Sequence, residues 1–457
     1  MNKHIVKRIV LCMITAMLAI LLVGICARIT QRKESRYNYD GLFKHRKDID
    51  VLFVGTSHVV NGINPLDIYS EYGITTYNLG THGVSQTVQY WTLVNALDYV
   101  NPKVVVIDCY SIHDSVKVYD SAYSWVHAAL DAFPLSIHKI QAAIDITDET
   151  DKTVGSAFDI AFDYNTYHNR WSQLEDEDFN PDDYVNKSMG AAMKMAYTPC
   201  YEQEYDPDLT LDYNSRNIEY LKKMVDVCES RGIEVVFTFL PCLYNEPSIN
   251  ASANTAKQIA DEYGIDYMNF LEMPVTNYGT DFADEGAHLN YLGARKISHY
   301  MGEYLADSGI VSDRRVNEHM EYWDEYIREY EAEKTDGLKN TDDALVYLML
   351  LASGNYDVNI FIESDEILEC YRYRELFGEL GITEETFPNA NNIIIHGGDL
   401  EQIQYDYIEE TDLPQDIRIV VYSGSGEMVD FSDLEYIHAN SGNEEDSYCI
   451  LTHNSLE

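Results

Sequence analysis

Between residues 49 and 310, short apolar runs alternate with amphipathic helical patterns, and this alternation restricts the chain to few folds. The clearest run, Lys103–Cys109, contains three valines and an isoleucine in succession, as expected for a strand buried on both faces of a parallel sheet. The other strand-like runs are Val51–Gly55, Ile74–Leu79, Ile233–Leu240 and Ile265–Phe270. The helical patterns are Asn64–Tyr72, Val84–Val100, Asn214–Arg231, Ala253–Tyr263 and Tyr291–Ala306. Strands that alternate with helices predict a three-layer α/β domain with a parallel sheet.

Two segments of this domain carry residues typical of nucleophilic catalysis. Ser57 follows the first strand, and active sites of parallel sheets lie outside the carboxyl ends of the strands. His288 lies with nearby acids on a polar loop before a helix. A serine hydroxyl becomes a useful nucleophile when a base takes its proton and a carboxylate orients that base. A Gly-x-Ser sequence alone is common, and Val59 stands where the Gly-x-Ser-x-Gly motif needs its second glycine.

The N-terminus carries the pattern of a membrane anchor. Basic residues precede an uncharged run, Ile9–Ala27, whose 19 residues nearly cross a hydrocarbon core of ~30 Å. Ile25 occupies a position where signal cleavage needs a small residue, so residues 1–28 predict a short cytoplasmic tail and an uncleaved transmembrane helix. We expect a single-pass protein of the cell membrane with the bulk of the chain outside, although basic residues also follow the run.

Composition excludes several function classes. The chain has 77 acidic and 32 basic residues and a net charge of −45, which repels phosphate backbones and argues against a nucleic-acid partner. The cysteines and histidines show no metal-binding spacing, and no glycine-rich phosphate loop is present. The sequence therefore predicts neither a metal site nor a cofactor.

The remaining segments divide the chain further. The polar, basic stretch 29–48 is interpreted as a linker, and the aromatic, acidic insertion 112–207 as a lid or subdomain of the 49–310 domain. A charged helical connector is expected at 311–341, followed by an accessory domain at 342–457. Strand-like runs there predict a small α/β or β-rich fold, without a catalytic constellation.

Three motifs resemble the conserved blocks of the SGNH (GDSL-type) hydrolases. They are Gly55-Thr-Ser57-His58, Asn78-Leu-Gly80-Thr-His-Gly83 and Asp284–His288, and the resemblance covers roughly residues 48–308. It implies an SGNH, flavodoxin-like parallel sheet. The chain looks closest to the membrane-anchored, extracytoplasmic members that work beside membrane-bound O-acyltransferases and acylate envelope glycans.

The resemblance also implies roles for individual residues. Ser57 would attack the acyl carbonyl, and His288 would act as general base and then as general acid. The usual spacing makes Glu285 the orienting acid, whereas Asp284, which is shorter and lies one residue further back, is preferred here. The backbone N–H groups of Ser57 and Gly83 would form the oxyanion hole.

One block departs from the family pattern. The strand Lys103–Cys109 is not followed by the asparagine that serves as a further oxyanion donor. Either Tyr110 or Ser111 substitutes for it, or the hole has fewer donors. This departure argues against an ordinary lipase and fits the acyltransferase-associated branch better.

Other polar residues are weaker candidates. His168, Arg170 and Trp171 in the insertion could hold a sugar or a donor carbonyl by stacking and hydrogen bonding, or could form a packed helix end with one buried tryptophan. His58 and His82 flank the expected site.

These observations predict a serine-dependent O-acyl (in the first place acetyl) transferase or esterase that acts at the cell surface on an envelope or secreted glycan through an acyl-serine. A membrane-bound O-acyltransferase is the expected partner. The alternatives are a simple carbohydrate esterase and a non-catalytic glycan-binding or scaffold protein with a degraded site.

Overall fold

The structure is a computed structural model of the whole chain. It describes residues 3–31, 33–113, 122–150, 155–162, 164–179, 186–201, 204–243, 246–383, 392–396, 399–403, 416–438 and 447–454. Its helices are α1 (Lys3–Thr30), α2 (Lys33–Lys44), α3 (Ser57–Gly62), α4 (Pro65–Tyr72), α5 (Gln86–Ala96), α6 (Ala122–Leu130), α7 (Ile137–Glu149), α8 (Ala157–Ala161), α9 (Tyr164–Tyr167), α10 (Asp176–Phe179), α11 (Arg216–Glu229), α12 (Pro247–Tyr263), α13 (Tyr291–Asp307), α14 (Glu321–Asn340), α15 (Ala344–Ser353) and α16 (Tyr371–Glu379). Its strands are β1 (Val51–Gly55), β2 (Thr76–Gly80), β3 (Val104–Asp108), β4 (Glu234–Phe239), β5 (Asp266–Asn269), β6 (Asp357–Ile362), β7 (Asn392–His396), β8 (Asp399–Ile403), β9 (Ile417–Tyr422), β10 (Met428–Ile437) and β11 (Tyr448–His453).

The first five strands form one parallel sheet in the order β2-β1-β3-β4-β5. Successive residues of β1 point to opposite faces: Leu52 belongs to a core shared with α5, α11 and α12, whereas Phe53 belongs to a second core with α4 and α13. The three-layer α/β prediction is therefore confirmed. The chain leaves β1 towards β2 on one side and returns to β3 on the other, which opens a crevice at the carboxyl end of β1.

The C-terminal part of the chain is a β-rich unit, which is one of the two folds that the sequence predicts for it. Six strands form an antiparallel sheet in the order β11-β10-β9-β6-β7-β8. Helix α14 joins this unit to the first domain, because its fully buried Trp323 stacks on Tyr69 of α4 with ring centroids 4.5 Å apart. One apolar cluster runs through both units, so the connector is part of the core.

The stretch expected to be a linker is instead largely helical and packs into the core of the first domain. In α2, Tyr39 and Leu42 lie one helical turn apart and are buried in the main core. The Tyr39 hydroxyl also lies 3.0 Å from Thr81 Oγ1 in the loop after β2. The polar composition of this stretch concealed the short apolar stripe that a helix creates.

The N-terminal helix α1 is long and apolar enough to cross a membrane. Its side chains are exposed from Lys7 through Ile25, whereas Thr30 is buried. That buried end contacts α9, α10 and a 3-10 helix at His168–Ser172, all within the insertion.

Replacing Leu42 by alanine tests whether α2 is part of the folded domain. Because Leu42 is fully buried, we expect Leu42→Ala to lower the free energy of unfolding by about 2–5 kcal/mol. Leu135→Ala is the matched control at an exposed leucine, with an expected change within about 0.5 kcal/mol. Urea unfolding of the detergent-solubilised chain, followed by circular dichroism, measures both values. If Leu42→Ala changed the free energy of unfolding as little as the control does, residues 33–44 would be a linker and not part of the folded domain.

Candidate active site

Ser57 begins helix α3 immediately after β1. Thr56 is the N-cap residue of this helix, and its side chain accepts a hydrogen bond from the His58 N–H. The tight turn needs glycine at position 55, because a Cβ there would lie 2.5 Å from Val59 Cγ2 and 2.9 Å from Asp108 Cβ. This turn places the serine hydroxyl at the carboxyl edge of the sheet. A side chain at position 55 would clash with Val59 and Asp108.

The second motif holds helix α3 in place. The Asn78 side chain donates hydrogen bonds to the carbonyl oxygens of Val59 and Ile63, at 3.0 and 2.7 Å. The Val59 carbonyl also accepts the Ile63 N–H at the end of α3, at 3.3 Å, so Asn78 binds the last turn of the helix and the residue that follows it. Gly80 allows the same approach, because a Cβ there would lie 2.8 Å from the Thr56 carbonyl oxygen.

The loop before α13 is a tight hairpin that carries the acid and the histidine. Phe282 and Leu289 pair as in two antiparallel strands, and the Ala283 N–H donates to the His288 carbonyl at 3.0 Å. At its tip, Glu285 and Gly286 both have positive φ, of 46° and 87°, as in a type I′ turn. The hairpin thereby brings Asp284, which precedes the two turn residues, alongside His288.

The structure brings Ser57, His288 and Asp284 into one hydrogen-bonded chain. His288 Nε2 lies 2.7 Å from Ser57 Oγ. On the other side of the ring, His288 Nδ1 lies 2.9 Å from Asp284 Oδ2. The His288 backbone N–H donates to Asp284 Oδ1 at 2.9 Å as well, so the carboxylate fixes the backbone and the ring of the histidine together.

Asp284, and not Glu285, occupies the acid position. Burial pushes the pKa of Asp284 upward, but hydrogen bonds from His288 and Lys194 outweigh it and lower that pKa below its usual value. The Glu285 side chain is exposed, at the left-handed tip of the turn. Gly286, two residues before the histidine, is the sequence signal that could have separated the two acids, because it marks a turn that begins after Asp284.

Lys194 is a site residue that sequence reasoning missed. Its Nζ lies 3.0 Å from Asp284 Oδ2. Lys194 comes from the return stretch of the insertion, which we define as residues 192–200. No local motif marks this lysine, since its contact depends on the path of the insertion.

The return stretch connects the two halves of the site. The Ala192 N–H donates to the Val60 carbonyl of α3 at 2.9 Å, and the Thr198 N–H donates to the Phe282 carbonyl of the hairpin at 2.9 Å. The insertion is therefore tied both to the helix that carries the nucleophile and to the loop that carries the base.

Two further histidines lie beside the triad in their neutral form. Burial, followed by the nearby His288, lowers the pKa of His58 to about 3 and that of His82 to about 4. The His58 ring lies edge-on to His288, with centroids 5.5 Å apart. Because both neighbours stay uncharged at neutral pH, neither opposes protonation of His288 during a reaction.

The residues expected at the oxyanion hole lie around this group. Gly83 has a φ of 56°, and a Cβ there would lie 2.8 Å from Trp125 Cδ1 of α6. The Tyr110 ring packs on His58 with centroids 3.8 Å apart, and Ser111 Oγ accepts a hydrogen bond from Gln89 at 2.6 Å. The oxyanion roles of the Ser57 and Gly83 amides, and of Tyr110 or Ser111, stay predictions.

Asp108 is a buried carboxyl group below the nucleophile turn. Burial raises its pKa to about 7, although backbone N–H groups of Leu240 and Tyr110 bond to it. Among the described residues, its Oδ2 atom has no hydrogen-bond partner. Because Gly55 packs directly against it, a charge on Asp108 would lie beneath the turn that presents Ser57.

The candidate substrate-binding residues of the insertion take a different position. Arg170 donates to the Thr30 carbonyl at 2.8 Å and also to the Gln31 carbonyl, and it pairs with Asp178 at 3.3 Å. These contacts bring Arg170 to the end of α1. Trp171 beside it is 72% exposed. The proposed grip of His168, Arg170 and Trp171 on a sugar stays a prediction. The Arg170 contacts favour a packed helix end, but the buried tryptophan expected there is wrong, since Trp171 is exposed.

No protein-family model matches the sequence, and no curated protein matches it. Among solved structures, a proposed acylhydrolase of Bacteroides fragilis is similar over 58% of this chain and 88% of its own, with 13% identity and a TM-score of 0.28. A GDSL-like lipase of Bacteroides thetaiotaomicron is similar over 60% of this chain and 98% of its own, with 11% identity and a TM-score of 0.30. Both TM-scores are low, so the assignment of the site depends on its own geometry.

Separate substitutions of the two acids test the assignment of Asp284. In Asp284→Asn the amide would donate to His288 Nδ1 and leave the proton on Nε2, where it blocks activation of Ser57. We expect labelling of Ser57 by a fluorophosphonate to slow by about 10²–10⁴-fold, whereas Glu285→Gln keeps the wild-type rate. Equal, small effects of the two substitutions would contradict the assignment.

The buried carboxyl group predicts a pH-dependent stability. Its pKa of about 7 in the folded chain exceeds the unfolded value of about 3.9, so the folded state holds an extra proton between these values. The protonated Asp108 carboxyl group stabilises the folded chain fully below about pH 4, and this stabilisation is lost as the pH rises to about 7. Asp108→Asn should therefore lose less thermal stability than the wild type over this range. Asp226→Asn, at an exposed position, is the control, and identical pH profiles of wild type and Asp108→Asn would contradict the shift.

Proposed function

We propose that this protein is a membrane-anchored serine O-acyltransferase or esterase that acts on a cell-envelope or secreted glycan, with acetyl as the expected acyl group. The observation that carries the catalytic part is the chain of hydrogen bonds from Ser57 through His288 to Asp284. Its position at the carboxyl edge of a parallel sheet is the usual place for an active site in such folds.

The geometry suits a two-step acyl transfer. Asp284 holds the proton of His288 on Nδ1, which leaves Nε2 free to accept the proton of Ser57 Oγ as that oxygen attacks the acyl carbonyl. His288 then gives this proton to the departing alcohol, and an acyl-serine forms. In the second step His288 takes a proton from the acceptor hydroxyl, which attacks the acyl-serine, and the proton returns to Ser57 Oγ.

Water and a sugar hydroxyl differ only as acceptors in the second step. Transfer is supported by the resemblance of the three motifs to the acyltransferase-associated SGNH proteins and by the missing third-block asparagine. The alternative of a simple carbohydrate esterase uses the same residues. A non-catalytic scaffold is disfavoured, because selection for binding alone gives no reason to keep a serine, an imidazole and a carboxylate in hydrogen-bonding register.

The proposed location follows from α1. This helix is long and apolar enough to span a bilayer, and the uncharged side chains along it are exposed from Ile9 through Ile25. We infer that α1 anchors the chain in the cell membrane with the catalytic domain on the outer side, where envelope glycans and a membrane-bound O-acyltransferase partner would meet it.

Removal of the nucleophile tests the catalytic proposal. Ser57→Ala should abolish hydrolysis of p-nitrophenyl acetate and the initial burst of nitrophenol that marks acyl-serine formation. Ser308→Ala, at the far end of α13, should keep full activity. Adding a methyl glycoside as acceptor to the wild type then separates the two reactions, since a transferase yields acetylated glycoside and an esterase yields acetate. Unchanged turnover in Ser57→Ala would overturn the assignment of the nucleophile.

A further inference from the structure

Exposed aromatic side chains gather on the part of the insertion that contacts α1. Trp171 is 72% exposed, Phe158 60% and Phe179 57%. Phe158 also stacks on Phe162, which is itself exposed, with ring centroids 4.8 Å apart. Single exposed aromatic residues are normal on a protein surface, whereas a group of them indicates a contact with a partner or a membrane.

Two of these residues, Trp171 and Phe179, are neighbours in the chain of an ion pair at the end of α1. The Arg170 guanidinium binds the carbonyl oxygens of Thr30 and Gln31, where a helix leaves its last acceptors unpaired. Asp178 pairs with the same guanidinium at 3.3 Å. Trp171 and Phe179 are the residues that follow Arg170 and Asp178 in the chain, so both rings start beside the last turn of α1.

The exposed aromatic residues also lie near a defined point along the axis of α1. The uncharged run ends at Ala27, and Thr30 lies only about 4.5 Å further along the helix axis. Helix α8, which carries Phe158, packs on α9, and α9 packs on α1. If α1 spans the bilayer, this surface therefore meets the boundary between hydrocarbon and water, where tryptophan is enriched in membrane proteins.

We propose that Phe158, Phe162, Trp171 and Phe179, which we call the aromatic surface, insert into the headgroup region of the leaflet in which α1 ends. The occupant of this surface is lipid. The inference rests on the proposed membrane anchoring by α1 and extends it, because it gives the catalytic domain a fixed orientation on the membrane as well as a tether. Asp159 and Asp176 lie within three residues of Phe158 and Phe179 in the sequence, so the contact depends on apolar insertion and suits zwitterionic lipid.

The consequence for the enzyme is a fixed height of the active site above the bilayer. The insertion that carries the aromatic surface also supplies the return stretch, which binds α3 and the histidine hairpin and places Lys194 on Asp284. An acyl donor delivered at the membrane surface would then meet Ser57 at a constant distance.

Tryptophan fluorescence of the full-length chain in phosphatidylcholine vesicles tests the proposal. The four tryptophans include one, Trp171, that is mostly exposed. Lipids brominated near the headgroup should quench the wild type, lipids brominated near the chain ends should quench it less, and Trp171→Phe should lose this shallow quenching. A control carries Trp171→Phe together with Tyr448→Trp, at an exposed position of β11, and should show no lipid quenching.

The outcomes separate this inference from the proposals on which it rests. Extraction of the full-length chain from the vesicles by alkaline carbonate would overturn the anchoring, and the inference with it. Stable anchoring combined with quenching of Trp171 by aqueous iodide but not by brominated lipid would overturn the inference alone. Protection from both quenchers that grows with the protein-to-lipid ratio would overturn it in favour of a second copy of the chain. Hydrolysis of p-nitrophenyl acetate reports on Ser57 independently of all three.

Discussion

The hydrogen bond between Ser57 and His288 joins residues 231 positions apart, and most of the fold serves to make that contact. Ser57 begins the helix that follows β1, and His288 lies on the loop before α13. The order β2-β1-β3-β4-β5 places β1 inside the sheet, with helices packed on both faces. Because the carboxyl ends of parallel strands share one edge, a loop from the far end of the chain can reach the nucleophile there.

Close backbone approach keeps this contact in register. Gly55 and Gly80 leave no room for a Cβ between the strands and the nucleophile turn, and Asn78 binds the end of α3. The return stretch of the insertion bonds to both α3 and the hairpin. The insertion is therefore part of the support of the active site, although the sequence presents it as an addition to the domain.

Hydrogen bonds from His288 and Lys194 outweigh burial and favour the charged form of Asp284. His58 and His82 are kept neutral by burial and by their proximity to His288. Burial raises the pKa of Asp108 to about 7. Of the two carboxyl groups, Asp284 is the one whose pKa lies below its usual value. A carboxylate that orients an imidazole beside a serine is the arrangement that makes the serine a directed nucleophile.

The sequence by itself determined the parallel sheet, the membrane-length helix and the positions of Ser57 and His288, because each depends on local apolar patterning or on a residue at the end of a strand. The tertiary structure decided the rest. It chose Asp284 over Glu285 through the left-handed turn at Glu285 and Gly286, placed α2 in the core, and brought Lys194 to the triad. The positions of α2 and Lys194 depend on where distant segments meet, which local patterns do not encode, whereas the choice of acid depends on backbone angles that only Gly286 indicates in the sequence.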